Sequence, residues 1–185
     1  VDINKLIEAF VNPINTTAGY IERISCGDIP KKITDTYKGD FNEIKNNINK
    51  LIDTLNDFQK EMNYMSEQHD LGDIDIVVNE SKFEGVYNNM AKGVNNMVNG
   101  HIGVKKKAMA CVAEFARGNF NAELEKFPGK KAFINENLEN LRKNLKDVSD
   151  EINVLIKAVK EGNLDVRANE LVFKGDWAAL IKGLN

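Results

Sequence analysis

The sequence contains few residues of the types that build catalytic centres or disulfide frameworks. It has two histidines, two cysteines and three prolines among 185 residues. Two cysteines cannot form a disulfide framework, so Cys26 and Cys111 are expected to stay reduced, as in a cytosolic protein. Two histidines offer little material for a zinc site or a Ser-His-Asp triad, and no Gly-rich phosphate loop occurs. We therefore expect neither an enzyme nor a bound cofactor.

Charge and hydropathy argue against two further classes of partner. The net charge is -3 and the isoelectric point is about 5.5, without a basic stripe, which argues against nucleic acid. No apolar run reaches the roughly 18 residues that a membrane-spanning helix needs, so no membrane contact by this segment is expected. A chain that is 42% hydrophobic and 29% charged is typical of an ordered protein rather than a disordered one.

A three-residue motif that begins with glycine recurs four times, at steps of 44 to 46 residues. Its copies are Gly27-Asp28-Ile29, Gly72-Asp73-Ile74, Gly118-Asn119-Phe120 and Gly162-Asn163-Leu164. An aromatic-x-Gly motif follows each copy, at Tyr37-Lys38-Gly39, Phe83-Glu84-Gly85, Phe127-Pro128-Gly129 and Phe173-Lys174-Gly175. Two motifs that stay in phase over four copies indicate one module repeated end to end. The first glycine of each copy is expected to end a helix in the left-handed conformation.

Between these motifs, apolar residues alternate in steps of three and four, which is the heptad pattern of a coiled coil. The clearest runs are Phe41, Ile44, Ile48, Leu51, Leu55, Phe58, Met62 and Met65, then Tyr87, Met90, Val94, Met97, His101 and Val104, then Ile134, Leu138, Leu141, Leu145 and Val148. This apolar seam is narrower than the face of a helix that packs inside a globular domain, so it predicts coiled-coil partner helices. His101 is the polar residue in this seam, and the flanking Gly100 and Gly103 predict a bent or broken helix there.

The connectors between helices are long enough to decide the topology. A connector of about 12 residues can run back along a helix of about 24 Å, so the two helices of a module are predicted to be parallel. Antiparallel hairpins of a helical repeat scaffold are the alternative. Apolar residues are predicted to pin each connector to its helices. They are Ile29 and Ile33, Ile74 and Val77, Phe120 and Leu124, and Leu164 with Val166 or Leu171.

One histidine suggests a third hypothesis. His69-Asp70-Leu71 is similar to the phospho-acceptor box of histidine kinases, but it lacks the basic residue and the proline that normally follow. A cation near a helix C-terminus is favourable in its own right. We therefore interpret His69 as a helix-end residue and rank phosphotransfer last.

The repeats resemble the HAMP domain of bacterial chemoreceptors and sensor kinases, as a concatenated array. The resemblance rests on Pro13 followed by an amphipathic helix, Gly27-Asp28 closing that helix, two apolar connector positions, Asp40 opening the second helix, and Ile48-Asn49-Lys50-Leu51 within it. Copies two and four keep Val94-Asn95-Asn96-Met97 and Leu184-Asn185. Copy three instead has Leu138-Glu139-Asn140-Leu141, and Lys130 replaces the acid. The amino-acid sequence at residues 13–55 and 118–145 is more similar to that of methyl-accepting chemotaxis proteins than to that of histidine kinases.

The resemblance implies an all-α fold of parallel four-helix coiled-coil bundles, formed by a homodimer and stacked end to end. The implied modules are 1–58, 59–102, 103–148 and 149–185, the last truncated in its second helix. It also implies a cytoplasmic, non-enzymatic relay between sensor and output domains of a chemotaxis receptor, which can be membrane-anchored. The alternatives are a protein-binding repeat scaffold and a linker or dimerisation region of a sensor histidine kinase.

The positions that the resemblance marks as structural or signalling residues lie in the helices and connectors of all four copies. They are Pro13, Gly27, Asp28, Ile29, Ile33, Asp40, Ile48, Leu51, Gly72, Ile74, Met90, Met97, His101, Gly118, Phe120, Leu138, Leu141, Gly162 and Leu164. No catalytic, cofactor-binding or metal-binding residue is predicted.

Overall fold

A computed structural model describes residues 3–185, without the side chains of residues 5 and 6. The α-helices are α1 (Ile3–Ser25), α2 (Asp40–Asp70), α3 (Gly85–Ala116), α4 (Ala132–Lys160) and α5 (Asp176–Leu184). Short 3-10 turns occur at Glu80–Lys82, Gly129–Lys131 and Glu170–Val172. Residues 3–185 contain no β-strand. The all-α prediction is therefore confirmed.

The first glycine of each repeat ends a helix, as predicted. The φ angles of Gly27, Gly72, Gly118 and Gly162 are 83°, 96°, 84° and 78°. The Gly27 N–H donates to the Ile24 carbonyl at 3.0 Å, and the Asp28 N–H donates to the Arg23 carbonyl at 2.9 Å. The other three copies repeat both bonds. This pair of bonds is the Schellman motif, which satisfies carbonyls that a helix end would otherwise leave without a partner.

Three long helices each serve two modules. The second helix of one module continues into the first helix of the next, within α2, α3 and α4. The predicted break near His101 is wrong, because α3 runs through Gly100 and Gly103 without interruption. Glycine keeps its backbone donor and acceptor, so the hydrogen-bond ladder can continue at a cost of about 1 kcal/mol per residue.

The chain divides into two compact units, one ending at Val98 and the other beginning at Asn99. In the first unit, the Phe10 ring near the start of α1 lies 5.7 Å from the Phe41 ring at the start of α2. Ile24, near the end of α1, shares a core cluster with Ile52, farther along α2. The start of α1 therefore lies beside the start of α2, and the end of α1 lies beside a later part of α2. The helices of the first module are parallel, and antiparallel hairpins are excluded there.

The other three modules show the same parallel arrangement. In module two, Phe58 packs on Tyr87 with ring centroids 6.3 Å apart, and Met65 shares its cluster with Val98. In the second unit, the corresponding clusters join α3 to α4 and α4 to α5. Each module thus has a small core of its own, built from two helices and the connector between them.

Candidate functional site: connector clamps and an exposed helix face

In three of the four copies, an asparagine within the second helix or directly after it holds the connector by its backbone. Asn49 accepts a hydrogen bond from the Ile33 N–H at 2.8 Å and donates one to the Ile33 carbonyl at 3.0 Å. Asn95 makes the same pair of bonds to Val78, both at 2.9 Å. Asn185 makes them to Ala168, at 2.6 and 3.0 Å. We call each such pair a connector clamp.

The clamp provides hydrogen-bond partners for backbone N–H and carbonyl groups that lie in an apolar core. Val78 is 1% exposed and Asn95 is 8% exposed, so water has little access to the backbone groups that the clamp satisfies. Buried backbone donors and acceptors need a partner, and the side-chain amide supplies one of each kind. The local motif that contains these asparagines does not predict the clamp, because the hydrogen-bond partners lie 16 or 17 residues away.

Copy three holds its connector differently. Glu139 occupies the position of the clamping asparagine, and an ionised carboxylate can only accept hydrogen bonds. Asn135, four residues earlier, takes over the amide role. It accepts from the Phe127 N–H at 2.9 Å and donates to the Glu125 carbonyl at 2.8 Å. The connector of copy three is therefore clamped one helical turn nearer the start of α4.

A partly buried arginine makes a second contact with the connector in copy three. Arg142 donates to the Phe120 carbonyl at 3.1 Å, and its guanidinium lies 5.1 Å from the centre of the Phe115 ring. Its Nε lies 3.0 Å from a Glu139 carboxylate oxygen. The corresponding residue of copy one is Ile52, which is 1% exposed. Copy three has thus replaced an apolar contact with charged and cation–π contacts.

The predicted apolar pins are correct in copies one and three and wrong in copy two, and in copy four only the alternative Val166 is correct. Ile33 is buried, and Ile29, Phe120 and Leu124 pack against their cores. In contrast, the exposed fractions of Ile74, Val77, Leu164 and Leu171 are 39%, 42%, 67% and 89%. The less exposed residues of these connectors are Ile76, Val78 and Ala168, together with the predicted Val166. Ile76 and Val78, like Val166 and Ala168, are alternate residues of extended chain, whereas Ile74 and Leu164 lie in the turn before it.

Copies two and four also share a turn that the others lack. The Asn79 side chain accepts from the Ser81 N–H, while the Asn79 N–H donates to Glu61 at 3.2 Å. Asn169 repeats this arrangement with Leu171 and Glu151 in copy four. Copies two and four therefore share one connector structure, from which copies one and three both differ.

A charge pair distinguishes copy two from copy four. Lys82 donates to Glu61, and this bond holds the pKa of the Glu61 carboxyl below its usual range despite an opposing effect of burial. Val172 stands where copy four would need the lysine. The lysine side chain is largely exposed, so solvent screens the pair and its contribution to stability is small.

Several predicted residues lie at helix ends or inside helices. Pro13 is buried within α1, and Asp28 pairs with Arg23 at 2.6 Å just after that helix ends. Asp40 lies in the first turn of α2, where its charge complements the helix dipole. His69 lies in the last turn of α2, with its Nε2 2.8 Å from the Ile76 carbonyl. His69 therefore connects a helix end to the connector, as a helix-end residue does.

The heptad seam divides into a covered part and an exposed part. Ile48 and Leu138 are buried, and Leu51 and Leu141 are half-buried. Other seam residues keep between 38% and 70% of their surface exposed. They are Ile3, Ile7, Phe10, Ile14, Ile21, Ile44, Met90 and Met97. A row of large apolar side chains at heptad spacing forms an exposed helix face of the kind that marks a protein interface.

The described part of the chain offers no metal site. Among residues 3–185, no three His, Cys, Asp or Glu side chains are placed to hold an ion. Cys26 is exposed, Cys111 is buried, and both are free thiols. None of the helices in this range combines the length and the apolar character that crossing a bilayer requires.

Comparison with known proteins agrees with this geometry. Residues 1–57 match the family described as HAMP domain, and residues 104–146 match the family described as HAMP N-terminal domain 3. The chain is also 38% identical over 86 residues to the methyl-accepting chemotaxis protein McpB of Pseudomonas aeruginosa. That alignment covers 46% of the chain and 13% of McpB. With four repeats of one parallel helix–connector–helix structure, the chain belongs to the HAMP family and is a HAMP array.

Proposed function

We propose that the array relays conformational changes between a sensor domain and an output domain of a chemotaxis receptor, without catalysing a reaction. The similarity to McpB supports the receptor context, and the HAMP repeats support a linking role. A place on the cytoplasmic side of a membrane-anchored receptor belongs to the same proposal.

The observation that carries the proposal is the exposed helix face. One chain leaves Phe10, Ile14, Met90 and Met97 about half exposed although they occupy heptad positions. Two helices bury only part of a seam of this kind, and a four-helix bundle buries the rest. A second copy of the chain, aligned in parallel, provides two more helices with the same seam. We therefore infer a parallel homodimer.

Relay follows from the shared helices. A four-helix bundle can rearrange by rotation, tilt or shift of its helices, and an input that favours one arrangement shifts the population. Because each of α2, α3 and α4 serves two modules, movement at one end of a helix imposes a displacement on the next module. We propose module boundaries near residues 58, 102 and 148, within these helices.

Disulfide cross-linking tests the dimer. In a background in which Cys26 and Cys111 are replaced by serine and alanine, Met97→Cys is expected to form a cross-linked homodimer on mild oxidation, because parallel seams bring identical positions together. Asn96→Cys is the matched control, since Asn96 is exposed and lies beside the seam. Equal cross-linking at both positions, or sedimentation of the fragment as a monomer, would contradict the dimer.

A further inference from the structure

Copy three departs from the other copies at the first layer of its helix pair. This layer contains two residues in each copy. One lies 17 positions before the helix-ending glycine, and the other lies two positions after the second glycine. The pairs are Phe10 and Phe41, Leu55 and Tyr87, His101 and Lys131, and Leu145 and Trp177. Three copies thus place an aromatic residue and a second apolar residue at this layer, whereas copy three places two basic side chains.

A cleft lies at this layer in the structure. Its volume is about 300 Å³, and His101, Lys105, Lys130 and Lys131 surround it. Its apolar lining comes from Val104, Phe133 and Ile134. Three lysine side chains and an imidazole therefore border one cleft whose lining is mainly apolar.

These ammonium groups lack a counter-charge. Across residues 3–185, no carboxylate forms an ion pair with Lys105, Lys130 or Lys131. By contrast, Lys107 on the same helix pairs with Glu125 of the connector. The cleft is therefore positively charged in a chain whose net charge is -3.

The start of α4 adds to the positive potential. This helix continues directly from the 3-10 turn Gly129–Lys131, because the Ala132 N–H donates to the Gly129 carbonyl, and neither segment has an acidic residue in its first turn or a side-chain cap. Lysine at a helix N-terminus opposes the helix dipole, whereas an anion there is favourable. Copies one and four instead place Asp40 and Asp176 in this first turn.

We propose that this layer of copy three binds a small oxyanion, a phosphate or a phosphate monoester, between the two subunits. The inference rests on the proposed homodimer, because only a second copy brings two His101 and two Lys131 side chains to one layer. Enclosed like charges repel strongly and cannot lose their solvation without a partner. A multiply charged oxyanion compensates them and accepts hydrogen bonds from all of them.

Titration calorimetry of the 185-residue chain, at constant ionic strength, tests the proposal. Inorganic phosphate is the first probe and glycerol phosphate the second, so that the two arms distinguish free phosphate from a monoester. We expect saturable binding of one anion per dimer. Lys131→Gln is expected to weaken it at least tenfold, while Lys126→Gln, at an exposed connector lysine outside the cleft, leaves it within twofold of the wild type.

A second variant guards against misfolding. Lys131→Phe restores the aromatic residue of the other copies, so it is expected to abolish binding and to raise the midpoint of thermal unfolding in phosphate-free buffer. Sedimentation separates the two ways in which the proposal can fail. A monomer would overturn both the homodimer and the anion site. A dimer that binds neither probe, or that binds them equally well with Lys131→Gln, would overturn the anion site alone.

Discussion

Replacing Asn95 by leucine is expected to destabilise copy two by about 2 to 4 kcal/mol. Leucine has nearly the shape of asparagine but cannot bond to the N–H and carbonyl of Val78, both of which the clamp satisfies at 2.9 Å. A buried backbone group without a partner costs about 1 to 3 kcal/mol, and this change leaves two of them. Because leucine fills the same space, water cannot enter to replace the lost bonds.

Hydrogen exchange at the Val78 amide is the local measurement. A loss of about 2 kcal/mol corresponds to a roughly 30-fold fall in protection, since each 1.4 kcal/mol is a factor of ten. Asn96→Leu changes the exposed neighbouring residue and is expected to alter stability by less than about 0.5 kcal/mol. If Val78 stayed equally protected in the Asn95 variant, the clamp would contribute nothing and the site would need another description.

Phe83→Ala is expected to produce the largest loss, about 3 to 5 kcal/mol in copy two. The Phe83 side chain is 5% exposed, and its ring lies edge-to-face with Phe58 at 5.3 Å and 72°. Truncation removes the transfer free energy of the ring and leaves a cavity beneath the connector. The expected measurement is a lower midpoint of denaturant unfolding at fixed protein concentration, because a dimer's stability depends on concentration.

Copy four supplies the matched comparison. Phe173 occupies the same position and is 9% exposed, but Val148 stands where copy two has Phe58. An edge-to-face aromatic pair adds about 0.5 to 1.5 kcal/mol beyond burial, so Phe173→Ala is expected to cost less than Phe83→Ala by about that amount. Equal losses would show that the ring pair adds nothing to packing.

The helices and their direction could be predicted because they depend on local rules. A glycine that ends a helix and a three-four alternation of apolar residues are visible in any short window. The length of the connector then favoured parallel helices, and the Phe10–Phe41 contact agrees. The second glycine motif was visible too, but its conformation was not. Gly39, with φ 57° and ψ -139°, lies in a backbone region that is open almost only to glycine.

The connector contacts could not be predicted, because they join residues 16 or 17 positions apart through one hydrogen-bonded amide. No short window shows that Asn95 faces Val78. The contacts of copy three are harder to predict, because Glu139 stands in place of the clamping asparagine and cannot donate a hydrogen bond. Asn135 and Arg142, at other positions along α4, bond to the connector instead. Conversely, Ile74 and Leu164 are apolar and predicted as pins, but they lie in the turn that follows the helix-ending glycine, before the extended stretch begins, and are exposed.

The most direct test of the relay is to change the phase of α4 in a receptor that carries this array. One to four residues are inserted near Val148, within the helix shared by modules three and four. If the helices transmit a rotation, receptor output should change with these insertions and should recover when seven residues, one heptad, are inserted. Output that is indifferent to heptad phase would contradict the proposed relay.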